Sequence, residues 1–135
     1  MIRRWYEINT KMLFRCYGQI SYDELNLSWI RIHRFKLPPV FRQSYTALLI
    51  RTPGQNIENY DGYDFYLDKE LKRKDKKPMD HIFDGSGFND LSDKNYARLS
   101  LHLKSFRPAL DVISGENLLD MCEVVYNHLG QRKGI

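Results

Sequence analysis

Ser100 and His102 are the residues whose types and spacing best suit chemistry in this chain. In an extended segment, side chains two positions apart share a face and lie roughly 6 to 7 Å apart. A hydroxyl is a poor nucleophile without a base, and the imidazole of His102 is near enough in sequence to serve as one. Asp111 could orient that imidazole. The alternative is that Ser100 hydrogen-bonds to loop backbone and that His102 packs against Phe106.

The two cysteines, Cys16 and Cys122, offer neither a disulfide framework nor a paired metal-ligand spacing. Cys122 falls on an apolar stripe of helical spacing, so we expect a buried thiol that behaves as a small hydrophobic group. Cys16 occupies a similar place in an N-terminal helix, and we expect it to be structural as well. Since no pair of histidines has metal-ligand spacing, no metal and no other cofactor is expected.

Two amphipathic helices are predicted at the ends of the chain. The first covers about residues 2–16, with Gly18 as its stop and a basic outer face. The second has about fifteen residues, with Ser114 as its N-cap and Gly130 after its last turn. The apolar stripes consist of Ile2, Trp5, Met12, Leu13 and Cys16 in the first helix and of Leu118, Cys122, Val125 and Leu129 in the second.

Three strands are predicted between the helices, over residues 27–35, 45–51 and 63–67. Pro38 and Pro39 end the first, because proline cannot donate to a sheet ladder, and Pro53 with Gly54 forms a turn after the second. Short connections between neighbouring strands favour an antiparallel meander. The sequence therefore predicts an α+β fold with an N-terminal helix, an antiparallel β-meander, a long irregular segment that carries the candidate active site, and a C-terminal helix.

Length and composition indicate a single domain over residues 1–135. A chain of 135 residues with 42% hydrophobic content can bury a sizeable core. It has no apolar run of the ~18 residues that a membrane span needs and no apolar stretch of the kind found in secretory signals. We therefore expect a cytoplasmic protein without a membrane partner.

The net charge of +4 is concentrated in a few places. Much of it lies between Lys69 and Lys77, where six basic residues are interleaved with two acids, so residues of about 69–81 are expected to form a solvated charged loop. A small nucleic-acid-binding domain is one alternative, and it predicts affinity that falls steeply with salt. We do not expect nucleic acid as a partner, because the aromatic residues mostly fall at core-facing periods.

Several short motifs, in their order along the chain, resemble the ubiquitin-conjugating (UBC-like) superfamily in its bacterial form, the prokaryotic UBC-like family E. The resemblance is strongest over residues 27–129. The motifs are Leu37-Pro38-Pro39, Leu48-Leu49-Ile50 before Pro53, Asp64-Phe65-Tyr66, Arg98-Leu99-Ser100-Leu101-His102, and Phe106-Arg107-Pro108 with Asp111 beyond.

The chain also departs from the family pattern. Phe106 stands where the family usually has Trp, Ala109 where it has Gly, and Leu101 where it has Arg. The His-Pro-Asn tripeptide of eukaryotic conjugating enzymes is absent, so the Asn that would stabilise an oxyanion has no clear counterpart. At the position of the family's nucleophilic thiol, a few residues before the aromatic-Arg-Pro segment, only Ser100 is an ordinary acyl acceptor.

The resemblance implies a bacterial protein of a conjugation operon that accepts a ubiquitin-like modifier from a ubiquitin-activating-like enzyme and transfers it to an amine. It implies a serine oxyester in place of a cysteine thioester. The alternative is a catalytically inactive UBC-like module that binds a modifier or scaffolds a complex, so the sequence leaves open whether the chain is an enzyme. Candidate residues are Ser100, His102 and Asp111 for catalysis, Arg98, Phe106, Arg107 and Pro108 for the shape of the site, and Arg3, Arg4, Lys11 and Arg15 for docking the activating enzyme.

Overall fold

The computed structural model describes residues 2–52, 64–68, 70–76, 82–84, 96–100 and 117–130 of the chain. Within these ranges it has two α-helices and one six-stranded antiparallel sheet, which confirms the predicted α+β class with a helix at each end. The elements are α1 (Ile2–Tyr17), β1 (Ile20–Tyr22), β2 (Trp29–Lys36), β3 (Tyr45–Arg51), β4 (Asp64–Asp68), β5 (Ile82–Asp84), β6 (Tyr96–Ser100) and α2 (Leu118–Leu129).

The first helix, α1, buries one face, as its apolar spacing predicted. Trp5 and Leu13 are fully buried there. Gly18 ends the helix with a φ of +77°, in the left-handed region that glycine adopts at little cost, and its N–H donates to the Phe14 carbonyl at 2.9 Å. The prediction that Cys16 shares the buried face is wrong, since Cys16 is exposed. Helical spacing gives the direction of a residue but not how far along the helix the packing extends.

The sheet has the strand order β1-β2-β3-β4-β6-β5, and every neighbouring pair is antiparallel. β2, β3 and β4 are adjacent in sequence and in space, which confirms the predicted meander. The segment before α2 was predicted to be irregular, which is wrong for residues 82–84 and 96–100, because they form β5 and β6. A three-residue strand such as β5 is too short to show a two-residue period in the sequence.

The central strand β3 is buried on both faces. Leu48 and Ile50 belong to the core beneath α1 and α2, whereas Leu49 belongs to a second cluster on the opposite face of the sheet. Strands buried on both faces have continuous apolar sequences, as this one does. The second cluster consists of Ala47, Leu49, Tyr66 and Tyr96, with Trp29 packed against it.

The second helix, α2, is shorter than predicted, with 12 residues. Its N-cap is Asn117, whose side chain accepts a hydrogen bond from the Asp120 N–H at 2.9 Å. Ser114 is therefore not the N-cap of this helix. The predicted apolar stripe is confirmed, since Leu118, Cys122, Val125 and Leu129 are all buried.

Residues 70–76 belong to the charged run and are bound to the connection between β2 and β3. The Lys74 N–H donates to the Val40 carbonyl at 2.7 Å, and the Arg42 N–H donates to the Lys72 carbonyl at 2.8 Å. Arg73 is buried and forms an ion pair with Asp75 at 2.8 Å. Within this segment Leu71 and Arg73 are buried, whereas residues 70, 72 and 74–76 are exposed.

Candidate functional site

Ser100 is the last residue of β6, and its place is fixed by backbone pairing. β6 lies between β4 and β5, with Ser100 opposite Asp64 in register. The preceding residue, Leu99, is fully buried and pairs with Phe65, so the core holds the strand immediately before Ser100. The candidate nucleophile therefore follows directly from one of the most firmly packed positions of the sheet.

Arg98 lies two residues before Ser100 on the same strand. It pairs in register with Tyr66 of β4 on one side and with Phe83 of β5 on the other, and it is half-buried. The other predicted members of the site lie outside the described residues. These are His102, Phe106, Arg107, Pro108 and Asp111. The pairing of Ser100 with His102 thus stays a prediction.

The thiol of Cys122 is unsuited to nucleophilic catalysis. Its side chain is fully buried in the core. Burial is the largest cause that raises the pKa of Cys122 to about 12, against which a hydrogen bond with Tyr17 acts in the opposite direction. With that pKa, only about one thiol in 10⁵ is ionised at pH 7. The structural role predicted for Cys122 agrees with this burial.

All four basic residues predicted to dock a partner are exposed on α1. Arg4, Lys11 and Arg15 are seven and four residues apart, so they follow one stripe along the outer face of the helix over about 16 Å. The side chain of Phe14, beside this stripe, is 59% exposed. We call Arg3, Arg4, Lys11, Phe14 and Arg15 the outer face of α1.

The structure also contains a serine–histidine pair that the sequence did not indicate. The Ser21 hydroxyl, in β1, lies 2.6 Å from Nε2 of His33 in β2. Both residues are half-buried. The sequence signal was hidden because β1 has only three residues, and because the two partners are 12 positions apart.

Among the described residues, no three His, Cys, Asp or Glu side chains lie together in a way that could hold a metal ion. Neither described helix has both the length and the apolar character needed to cross a bilayer.

Comparisons with known proteins add no relative. No family model, curated protein or solved structure matches this chain.

The predicted site residues that the structure describes lie in two separate places in the fold. Arg98 and Ser100 share β6, which lies between β4 and the edge strand β5. The docking residues are on α1, the element most distant from them along the chain. Ser100 and the outer face of α1 can serve the same reaction only if a partner bound to α1 extends far enough to bring its acyl group to β6.

Proposed function

We propose that this chain is a bacterial ubiquitin-conjugating-like protein, which accepts a ubiquitin-like modifier from an activating enzyme and transfers it to an amine. The observation that carries the proposal is where the family-like motifs fall in the fold. Leu37-Pro38-Pro39 directly follows β2, Leu48-Leu49-Ile50 lies inside β3, and Asp64-Phe65-Tyr66 opens β4. The motifs thus mark the strands of a meander that follows one helix and precedes another, which is the order that a UBC-like fold implies.

The proposed chemistry is acyl transfer through Ser100. The Ser100 hydroxyl attacks the C-terminal carbonyl of the modifier, which the activating enzyme carries as a thioester, while His102 accepts the hydroxyl proton; the thiolate of the activating enzyme leaves and takes that proton from His102 as a free thiol. An amine then attacks the oxyester, the amide forms, and the proton lost by the amine passes through His102 to the oxygen of Ser100. Asp111 orients the imidazole of His102, and Arg98, Phe106, Arg107 and Pro108 shape the site.

The experiment that tests this proposal is intact-mass analysis of the chain after mixing with a bacterial ubiquitin-like modifier encoded beside it, the matching activating enzyme and ATP. We expect an adduct of modifier mass that survives thiol reductant and is cleaved by hydroxylamine. It should be absent from Ser100→Ala. The matched control is Ser44→Ala, which alters an exposed serine between β2 and β3 and should form the adduct like the unmodified chain.

An adduct that survives in Ser100→Ala, or one that thiol reductant removes, contradicts the oxyester. In the second case, the exposed Cys16 would be the acceptor, and Cys16→Ser would abolish the adduct. His102→Gln should slow adduct formation by about 10² to 10⁴, the usual contribution of a general base. This comparison separates a base from a residue that only packs.

The second candidate function is a non-catalytic UBC-like module that binds a modifier. The burial of Cys122 favours it, because a UBC-like protein ordinarily works through a thiol and this one is inaccessible. A module of this kind would retain modifier binding in a calorimetric titration and would form no covalent adduct under any of the conditions above. Ser100→Ala would then leave the affinity unchanged.

The outer face of α1 is the proposed docking surface for the activating enzyme. Its exposed cations suit an acidic partner surface, and charge complementarity mainly accelerates association. Phe14 supplies an apolar contact of the kind that usually contributes most of the affinity of an interface.

A further inference from the structure

We propose that Ser21 and His33 form a second reactive site, a nucleophile–base pair that hydrolyses small carboxylic esters carrying a negative charge. The observation is geometric: the hydroxyl oxygen of Ser21 lies 2.6 Å from Nε2 of His33, within the range expected between a nucleophile and its general base. The pair does not depend on the UBC-like function proposed above.

Strand pairing holds this site rigidly. Ser21 is in the middle of β1, with Ile20 opposite Ile32 and Tyr22 opposite Ile30 on β2. The N–H of His33 donates to the Gln19 carbonyl at 3.2 Å, which extends the same ladder. Sites carried on strands keep their geometry better than sites on loops. Both side chains are half-buried, so the pair is sheltered yet reachable from solvent.

The neighbouring cation defines the class of substrate. Arg31 lies directly opposite Ser21 in register, so their Cβ atoms are about 5 Å apart on the same face of the sheet. Nε of Arg31 is buried, and it has no hydrogen-bond partner within the part of the chain that the structure describes. A buried donor without a partner is costly, and an anionic group bound there would satisfy it with a charge-assisted bond. Arg31 therefore favours a substrate with a carboxylate near the ester.

The reaction balances with the groups present and water. Oγ of Ser21 attacks the ester carbonyl while its proton moves to Nε2 of His33, and the alcohol leaves with that proton. Water then attacks the acyl-Ser21 ester, gives a proton to Nε2, and releases the acid as the proton returns to Ser21. The net reaction converts an ester and water into a carboxylic acid and an alcohol.

This site is distinct from Ser100. In the strand order, β1 and β6 are separated by four inter-strand steps, which at about 4.8 Å each is about 19 Å. One acyl group cannot reach both serines at once. The absence of a modifier adduct on Ser100 therefore does not test the reactivity of Ser21, and the absence of a reaction at Ser21 does not test Ser100.

The test uses a fluorophosphonate probe, whose phosphorus is attacked by an activated serine with loss of fluoride. We expect a phosphonyl group on Ser21 of the native chain, located by peptide mass analysis, and none on Ser21 of heat-denatured protein; labelling of Ser100 would report on the separate site proposed above. The Ser21 label should be absent from Ser21→Ala and unchanged in Ser44→Ala. A native chain whose Ser21 peptide carries no label above the denatured control overturns the proposal, whether or not the variants fold.

Two further readouts separate catalysis from a structural hydrogen bond. His33→Ala should react about 10² to 10⁴ times more slowly, and added imidazole should restore part of the rate, which a structural role would not produce. For the esters, kcat/KM for mono-4-nitrophenyl succinate should exceed that for 4-nitrophenyl acetate. Arg31→Gln should reduce this preference about tenfold or more. If the ratio of kcat/KM for the succinate ester to kcat/KM for the acetate ester is the same in Arg31→Gln and in the unmodified chain, the assignment of an anionic substrate is overturned.

Discussion

The side-chain oxygen of Asn9, in the middle of α1, accepts a hydrogen bond from the backbone N–H of Leu118, the first residue of α2, at 2.8 Å. The amide nitrogen of Asn9 donates to the Trp5 carbonyl, also at 2.8 Å, and Asn9 is fully buried. The first N–H groups of a helix have no partner within that helix. Asn9 satisfies one of them from 109 residues away, and so joins the two ends of the chain.

We expect Asn9→Ala to lower the free energy of unfolding by about 1–3 kcal/mol, because the Leu118 N–H loses its acceptor in a buried site. Urea denaturation with linear extrapolation measures the change. Asn127→Ala is the matched control, since Asn127 is exposed on α2 and its loss should cost no more than about 0.5 kcal/mol. Equal free energies for the two variants would show that the link between the helices contributes nothing.

Asp23 organises the turn between β1 and β2. Its carboxylate accepts hydrogen bonds from the backbone N–H groups of Leu25, Asn26 and Ser28, and from the Ser28 hydroxyl. Burial, the largest single influence, would raise the pKa of Asp23. The hydrogen bonds together outweigh it, with the Ser28 hydroxyl foremost, so the pKa is lowered.

This lowered pKa predicts how stability depends on pH. The unfolded chain binds a proton at Asp23 with a pKa of about 3.9. The carboxylate therefore stabilises the fold above that pH, and its contribution is lost as the pH falls through the lower folded-state pKa. We expect Asp23→Asn to be less stable at neutral pH and to lose part of the acid-side dependence, measured by urea denaturation from pH 7 to pH 2. Glu24→Gln, at an exposed neighbour, should follow the unmodified chain throughout.

Arg73 shows that a basic residue in a charged run can be structural. Its Nε donates to Asp75 at 3.0 Å and its terminal nitrogen donates at 2.8 Å, while its side chain is only 3% exposed. Asp75→Asn should lower the free energy of unfolding by about 1–3 kcal/mol, because the buried cation loses its carboxylate. Glu70→Gln removes an exposed carboxylate from the same segment and should change stability little. The same loss in both variants would mean that only the segment's net charge matters.

The two cysteines should differ sharply in reactivity. Cys16 is exposed, whereas Cys122 is buried with its pKa raised to about 12. A maleimide near neutral pH should therefore add once to the native chain and twice in urea, as counted by intact mass. Cys16→Ser should not be labelled until it is unfolded. Two additions to the native chain would mean that α2 opens readily enough to expose the core.

The periodicity of apolar residues was sufficient to predict the helices and strands that are long enough to show a repeating pattern. The buried stripe of α2, the buried positions Trp5 and Leu13 of α1, and the strands β2, β3 and β4 were predicted in this way, whereas the placement of Cys16 was not. The start of α2 was not predicted correctly, because Ser114 and Asn117 are both suitable N-cap residues. The hydrogen bond between Leu118 and Asn9 decides which of the two caps the helix. A local pattern contains no information on a partner at the other end of the chain.

In the candidate sites, too, local motifs were predicted from the sequence and contacts between distant residues were not. Ser100 was found because a motif surrounds it, but its strand was missed, since β6 is identified only by pairing with β4 and β5. The contact between Ser21 and His33 exists only when β1 pairs with β2. Short edge strands form because a neighbouring strand is already in place, and their own sequences are too short to predict them.

The outer face of α1 can be tested without disturbing the core, because Arg4 and Lys11 are both exposed. Reversing both to Glu changes the charge by two units at each position and takes the formal net charge from +4 to 0. The control is Lys72→Glu with Lys74→Glu, two exposed lysines of the segment 70–76. It gives the same net charge with the change placed elsewhere.

We expect the Arg4 and Lys11 charge reversal to slow transfer of the modifier from the activating enzyme, because it removes the electrostatic attraction between the two proteins. Since salt slows transfer by screening that attraction, most of the salt dependence of the transfer rate should be lost as well. Single-turnover transfer rates at low and high ionic strength measure both effects. The Lys72 and Lys74 control should keep the rate and the salt dependence of the unmodified chain. If both reversals slow transfer equally, the overall charge of the protein guides the encounter. If neither does, the activating enzyme binds away from the outer face of α1.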